Sequence, residues 1–229
     1  MKSCRNDNKN KIILIAAISI GCLIMSFIDG YIQPVYTIKS VVKIFLFIGL
    51  PMTYSLYNKE LSLKRLFIPK KGGFKKSLIL GLVVYISIIL AYFIFRNIFD
   101  FSAITKSLTG NIGVTKDNFI FVAIYISFIN SLLEEFFFRG FAFLSLKKYT
   151  SRCFAYFFSS LSFALYHVCM ISGWFSFAAF VLTMLGLAIG GAIFNYLNES
   201  ANTIYPSWLV HVSANFAINT IGLILFGII

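Results

Sequence analysis

The chain has 229 residues, of which 59% are hydrophobic and only 12% are charged. A soluble domain carries about 25% charged residues, so too little charge is present here to cover a water-facing surface. The composition excludes a soluble globular protein and indicates an integral membrane protein. The net charge of +12 comes from basic residues between apolar segments. It therefore indicates attraction to anionic lipid headgroups and not nucleic-acid binding.

Apolar segments of about 20 residues, the length that crosses a bilayer, recur along the chain. We predict seven spans: Ile12–Ile28, Ser40–Tyr57, Ser77–Phe95, Phe119–Leu146, two helices within Cys153–Asn198 that separate near Ser172 and Gly173, and Ser207–Ile229. Lys43 in the second span is expected to snorkel toward the interface. Gly186 and Gly190 predict close helix packing along the sixth span. The expected fold is an all-α, polytopic membrane helix bundle of about seven transmembrane helices.

Basic residues cluster at the N-terminus and in the connections that follow the second and fourth spans. The positive-inside rule then predicts a cytoplasmic N-terminus and an outward C-terminus. Frequent Ile, Lys, Asn and Phe indicate an AT-rich genome and a bacterial cell membrane. We divide the chain into residues 1–118, which hold spans 1–3 and a basic cytoplasmic loop, and residues 119–229, which hold spans 4–7 and the candidate chemistry. The sequence does not indicate an oligomeric state.

Ionisable side chains inside a bilayer cost several kcal/mol and are therefore candidates for function. We single out Glu134, Glu135, Arg139, His167 and His211, which include both histidines of the chain. Helical rise places Glu134 and His167 about 18 and 20 Å from the cytoplasmic end, so they can meet. His211 reaches the same level if the uncharged connection before it dips inward. Glu135 and Arg139 are i,i+4 neighbours and can pair, which leaves Glu134 without that partner.

Three patterns carry these residues. They are Glu-Glu-x-x-x-Arg at 134–139, Phe-x-x-x-His at 163–167 and His-x-x-x-Asn at 211–215. In order and in position on membrane spans they resemble the motifs of the CPBP family, the CAAX-processing and bacteriocin-processing intramembrane proteases, also called the Abi family. The resemblance covers roughly residues 119–220. It implies an intramembrane endopeptidase acting on a small membrane-associated peptide or protein, as in bacteriocin maturation, immunity or signalling-peptide processing.

The resemblance also implies roles for individual residues. Glu134 is then the general base that activates a water together with His167, while His211 and Asn215 stabilise the oxyanion. Peptide hydrolysis of this kind needs a base and oxyanion donors but no serine or cysteine nucleophile. We therefore expect no cofactor and no metal, and a polar cavity open to the cytoplasm. Asn215 can alternatively serve to join two helices.

Other interpretations of the same residues stay open. Glu135 and Arg139, which belong to the family motif, either support the site through an ion pair or form a purely structural pair. Glu134, His167 and His211 can also ligate zinc, although no HExxH spacing is present. A third possibility is a membrane scaffold that regulates a partner such as a sensor kinase. The fourth is a small transporter in which these groups form a proton path.

Overall fold

The computed structural model describes residues 2–59, 62–69, 74–111 and 113–229, and these ranges contain no strand. Their helices include seven segments long and apolar enough to cross a membrane. The segments, numbered below as spans 1–7, are Asn6–Ile32, Tyr36–Tyr57, Phe74–Phe95, Phe119–Lys148, Arg152–Ile171, Phe177–Ala201 and Tyr205–Leu225. The prediction of an all-α membrane bundle with about seven spans is confirmed.

Most spans are formed by one α-helix, whereas the fourth is assembled from several short segments. The α-helices are α1 Lys2–Phe27, α2 Tyr36–Tyr57, α3 Phe74–Phe95, α4 Ser102–Asn111, α5 Phe119–Tyr125, α6 Ser131–Glu134, α7 Arg152–Tyr166, α8 Val168–Ile171, α9 Phe177–Ala201 and α10 Tyr205–Leu225. The remaining helical turns are π-helical at Ile28–Ile32, Ile126–Asn130 and Glu135–Ser145, and of the 3₁₀ type at Leu63–Phe67 and Leu146–Lys148.

The irregularity of span 4 surrounds the acidic motif. π-Helical segments at Ile126–Asn130 and Glu135–Ser145 flank the single α-helical turn that ends at Glu134. Such segments are rare and occur mostly at functional sites. Neighbouring helices bind the carbonyl groups of span 4, since the Asn215 side chain on α10 donates to Ile126 O at 3.1 Å. Tertiary hydrogen bonds of this kind stabilise a geometry that the sequence pattern does not predict.

An aromatic cluster joins α2, span 4 and α7 next to the acidic motif. The ring of Phe47 stacks on Phe137 with 4.1 Å between centroids, and it contacts Phe138 and Tyr166 at 5.6 and 5.5 Å. Aromatic pairs of this geometry contribute about 0.5–1.5 kcal/mol each beyond area burial. Because Lys43 precedes Phe47 by one helical turn, the same packing directs that lysine toward span 4.

The N-terminal ends of α1 and α7 and the C-terminal end of α2 meet at one end of the bundle, called the basic end here. The turn Leu63–Phe67 folds inward there, and Leu66 O accepts a hydrogen bond from Ile204 N at 3.2 Å. A Cβ at Gly140 would lie 2.7 Å from the Leu66 side chain, so glycine permits this approach. The connection before α10 therefore lies inside the bundle, as expected, and His211 reaches the level of the glutamates.

The predicted packing at Gly186 and Gly190 is wrong within the described part of the chain. A Cβ added at either position meets nothing within 4 Å, whereas one at Gly191 would lie 3.1 Å from Ser160 Cα. Asn195, four residues further along α9, donates to Ser160 Oγ at 3.2 Å. Successive helix residues point about 100° apart, so the neighbouring glycine faces α7 instead.

Candidate active site

Glu134, at the end of α6, is only 3% exposed and has partners on both carboxylate oxygens. Its Oε1 accepts hydrogen bonds from Lys43 Nζ at 2.5 Å and from Asn130 Nδ2 at 3.0 Å. Its Oε2 faces His211 Nε2 at 3.6 Å. The two oxygens are therefore not equivalent: protein donors occupy Oε1, whereas Oε2 faces a group that can exchange protons.

Lys43 does not snorkel, and that prediction is wrong. The side chain is buried, and Nζ donates to Asn130 Oδ1 at 2.5 Å as well as to Glu134. The ammonium group also lies 5.0 Å from the ring centroid of Tyr166 and 5.4 Å from that of Phe47. The ammonium group loses its hydration on burial. This loss is compensated by its contacts with a carboxylate, an amide oxygen and two aromatic faces. Arg139 pairs with Glu135 and not with Glu134, as predicted, and Lys43 is the cation that pairs with Glu134 instead.

His211 bridges the two glutamates of the motif. Its Nδ1 lies 2.9 Å from Glu135 Oε1, and its Nε2 is directed at Glu134. Because a carboxylate accepts, Nδ1–H donates to Glu135, and this bond fixes the orientation of the ring. Nε2 is then the nitrogen that can contact a substrate or exchange a proton.

Glu135 is fully buried and holds three groups in place. Besides His211, it accepts a short hydrogen bond from Ser207 Oγ and pairs with Arg139 Nε at 3.5 Å. Ser207 in turn accepts a hydrogen bond from Asn198 Nδ2 at 2.6 Å. The predicted i,i+4 contact between Glu135 and Arg139 is confirmed. Glu135 is also a fixed acceptor for the imidazole, which the sequence did not indicate.

Arg139 is fully buried with its guanidinium group between two aromatic rings. The group lies 4.1 Å from the centroid of Phe163 and 4.9 Å from that of Phe194. Its nitrogens make no hydrogen bond to any protein atom in the described ranges. The ring faces and the Glu135 carboxylate therefore provide most of the compensation for burying this charge.

His167 follows the last residue of α7 and caps that helix. Its Nδ1 is 2.7 Å from Phe163 O, and because a carbonyl oxygen only accepts, Nδ1 carries a proton. The Phe163 ring lies 4.8 Å from the His167 ring and 6.0 Å from the His211 ring, centroid to centroid. The structure thus brings Glu134, Glu135 and His211 into direct contact, and one aromatic side chain packs against both histidines.

Asn215 lies one turn beyond His211 on α10. Its amide binds Ile126 O, and the contacts of the described residues include no hydrogen bond from Asn215 to the other five site residues. A side-chain amide has two N–H groups, so one donor remains after the bond to Ile126. Asn215 therefore lies beside the cluster formed by the two glutamates and His211. Its side chain contacts the backbone of span 4.

The six site residues are all buried, and the polar cavity open to the cytoplasm stays a prediction. A cleft of about 600 Å³ lies between α2 and span 4 toward the basic end. Leu133 and Phe136 line this cleft, but none of the six site residues does. Packing of Leu66 and Ile204 with Phe136 closes the basic end of the bundle below the site.

The alternative zinc site is not assembled by the part of the chain that the structure describes. No group of three His, Cys, Asp or Glu side chains there is placed to hold one metal ion. Zinc requires its nitrogen and oxygen ligands at about 2.0–2.2 Å. The described His, Cys, Asp and Glu side chains therefore offer no set of three ligands around one point.

Sequence reasoning missed three polar neighbours of the site: Lys43, Asn130 and Ser207. Asn130 stands four residues before Glu134, its hydrogen-bond partner. Ser207 stands four residues before His211 and binds the same glutamate, Glu135, as that histidine, so helical spacing places both beside motif residues. Lys43 is a charge within an apolar span, which is itself the signal of a functional candidate. Lys43 was expected to snorkel toward the interface and was therefore not included among the candidate functional residues.

Phe163→Ala is expected to lower the free energy of unfolding by about 3–5 kcal/mol. The change leaves a cavity and removes the ring that packs against both histidines and covers the Arg139 guanidinium group. Denaturant unfolding of the purified protein in detergent measures the effect. Phe157→Ala on the same helix is the matched control, because Phe157 is 65% exposed, and it should change stability by less than about 1 kcal/mol. Equal losses at the two positions would contradict a central role for Phe163.

A buried acid–histidine cluster within a membrane bundle is an arrangement that suits an intramembrane hydrolase. Residues 116–217 match the model of the type II CAAX prenyl endopeptidase Rce1-like family. This segment is 102 of the 229 residues and contains all six candidate site residues. The match confirms the resemblance of this segment to the CPBP/CAAX proteases and supports an intramembrane peptidase of this type. No curated protein and no solved structure matches the chain.

Proposed function

We propose that the chain hydrolyses a peptide bond in a small membrane-associated peptide or protein, with Glu134 as the general base. The family match supports an endopeptidase of the CAAX type. The observation that carries the residue assignment is the buried arrangement in which Glu134 Oε2 and His211 Nε2 face each other at 3.6 Å. A carboxylate and an imidazole so close together can supply a base for water and a donor for the oxygen of a carbonyl group bound beside them.

The hydrolytic step follows from the two oxygens of Glu134. Oε2 takes a proton from water while the water oxygen attacks the carbonyl carbon, and the electron pair of the C=O π bond moves to the carbonyl oxygen. The tetrahedral intermediate then collapses, the C–N bond breaks, and the leaving nitrogen receives the proton from Glu134. Water is consumed, and a carboxylic acid and an amine are formed. Positioned proton transfer of this kind contributes about 10²–10⁴-fold to the rate.

His211 is proposed to stabilise the oxyanion. The bond from Nδ1 to Glu135 orients the imidazole, so that Nε2, when it carries a proton, can donate to the oxyanion. Asn215 is proposed as a second donor through the N–H that Ile126 does not occupy. His167 carries its proton on Nδ1, so Nε2 is an acceptor that can orient the attacking water.

The substrate is proposed to enter from the lipid side. The cleft between α2 and span 4 is largely apolar, it is lined by Leu133 next to Glu134, and Lys59 and Lys64 lie at its rim. Such a surface suits a substrate that has an apolar segment with one end close to the lipid headgroups. We propose a bacterial cell membrane with the basic end in the cytoplasm, and a bacteriocin, an immunity factor or a signalling peptide as the substrate.

Cleavage of a defined peptide library tests the proposal. The full chain in proteoliposomes is incubated with farnesylated CAAX-box peptides and with unmodified single-span peptides, and new termini are identified by mass spectrometry. We expect new termini with the wild-type chain and none above background with Glu134→Gln. A wild-type chain that cleaves no peptide, or equal cleavage by the variant, would refute the proposal. Unchanged function of the variant in cells would favour the scaffold interpretation.

Metal independence is a separate expectation, because we propose that water is activated by side chains alone. Cleavage of the fastest library peptide should stay within about twofold after treatment with 1,10-phenanthroline, since a base and an oxyanion donor are both supplied by the protein. Treatment with inactive 1,7-phenanthroline controls for the effect of the compound on the bilayer. Loss of cleavage that returns on adding zinc would establish a metal enzyme instead.

A further inference from the structure

Helix α2 carries two buried lysines, one helical turn apart, and each pairs with a carboxylate on another span. Lys39 Nζ lies 2.7 Å from Asp29 Oδ1, and Lys43 Nζ lies 2.5 Å from Glu134 Oε1. The lysine side chains are 11% and 6% exposed. The pairs are alike in chemistry and depth of burial, but only the second includes a residue of the candidate active site.

Charge balance gives Lys43 a defined place in that site. The two motif glutamates carry two negative charges within the bundle, and Arg139 supplies only one positive charge. Arg139 pairs with Glu135, whereas Lys43 pairs with Glu134. Because an unpaired buried carboxylate is costly, the lysine allows Glu134 to remain ionised, as a general base must be before it accepts a proton.

The geometry of Lys43 also determines which oxygen of Glu134 can act. The ammonium group and the amide of Asn130 both bind Oε1. Lys43 is itself held by Asn130 Oδ1 and by the rings of Phe47 and Tyr166. This anchorage fixes the carboxylate plane and leaves Oε2 directed toward His211.

We propose that Lys43 is the positioning residue of the general base: it holds Glu134 by Oε1 so that Oε2 alone takes up the proton of water. The proposal rests on the role of Glu134 proposed above. Lys43 lies outside residues 116–217, the segment that matches the peptidase family. The second span therefore completes the active site and is more than a membrane anchor for the catalytic segment.

The test compares Lys43→Met with Lys39→Met in the full chain. Each change deletes one buried lysine of α2 and leaves one buried carboxylate without its partner, so their structural costs are matched. Steady-state cleavage is measured in proteoliposomes with the library peptide that the wild-type chain cleaves fastest. Lys43→Met should lower kcat by about 10²-fold, the effect of a misplaced catalytic group, with KM within about twofold. Lys39→Met should keep kcat near the wild-type value.

The outcomes separate this inference from the proposed function. Equal kcat values for the two lysine variants would overturn the role of Lys43, provided that Glu134→Gln is inactive. An active Glu134→Gln variant would instead overturn the proposed base and, with it, the positioning role. If Lys43→Met does not fold, Lys43→Leu replaces it, because leucine also lacks a donor for Glu134 Oε1. A wild-type kcat for Lys43→Leu would likewise overturn the inference.

Discussion

Arg139→Met is expected to lower the free energy of unfolding by about 3–5 kcal/mol, because it leaves the Glu135 carboxylate buried without its cation. Both side chains are fully buried, and the pair is joined at 3.5 Å. The substitution also removes the cation that lies between two aromatic rings. Unfolding in a denaturant series, followed by tryptophan fluorescence in detergent, measures the loss.

The double variant Glu135→Gln/Arg139→Met shows whether charge is the cause. Removing both charges should recover part of the stability lost in Arg139→Met, since no uncompensated buried ion then remains. Arg152→Met is the matched surface control: Arg152 pairs with Glu199 at 2.8 Å but is 66% exposed, so its loss should cost less than about 1 kcal/mol. A double variant less stable than Arg139→Met would contradict the electrostatic explanation.

The sequence predicts the spans well because bilayer thickness sets the length of an apolar run. It also predicts the acid–histidine cluster, because few ionisable side chains occur within those runs. Glu134 and His211 are 77 residues apart in the chain, and the sequence predicts that they reach one level if the connection before His211 dips inward. Depth and helical spacing are one-dimensional properties, so they can be read from the sequence directly.

Lateral neighbours are harder to predict, because a sequence does not state which helices pack side by side. Lys43 and Glu134 are separated by 91 positions, and their pairing depends on α2 lying against span 4. The π-helical turns around Glu134 also depend on which helices pack together. A carbonyl group of these turns, Ile126 O, accepts a hydrogen bond from Asn215 on α10, so a distant helix helps to determine the local geometry of span 4.

Glu134→Gln is expected to lower kcat by about 10²–10⁴-fold, the usual contribution of a general base. Glutamine keeps the shape and an acceptor for Lys43 but cannot take a proton from water. The fold should survive, because Lys43 and Asn130 can still bind the remaining carbonyl oxygen. KM should change little, since the carboxylate acts on water and not on the substrate chain.

Glu199→Gln provides the matched control for this effect. Glu199 is also a glutamate paired with a lysine, Lys147 at 3.1 Å, but it lies at the basic end and its side chain is 18% exposed. Its replacement removes the same charge by the same change of one atom. Activity should remain within about twofold of wild type, because no catalytic group is displaced.

The most direct test is therefore one comparison of kcat for the wild-type, Glu134→Gln and Glu199→Gln chains. All three are reconstituted in the same vesicles, shown to be folded by a cooperative unfolding transition and assayed with the library peptide that the wild-type chain cleaves fastest. The structure predicts a loss of at least about 10²-fold for Glu134→Gln and near-wild-type turnover for Glu199→Gln. Turnover by Glu134→Gln equal to that of the wild-type chain would show that Glu134 is not the base of this peptidase.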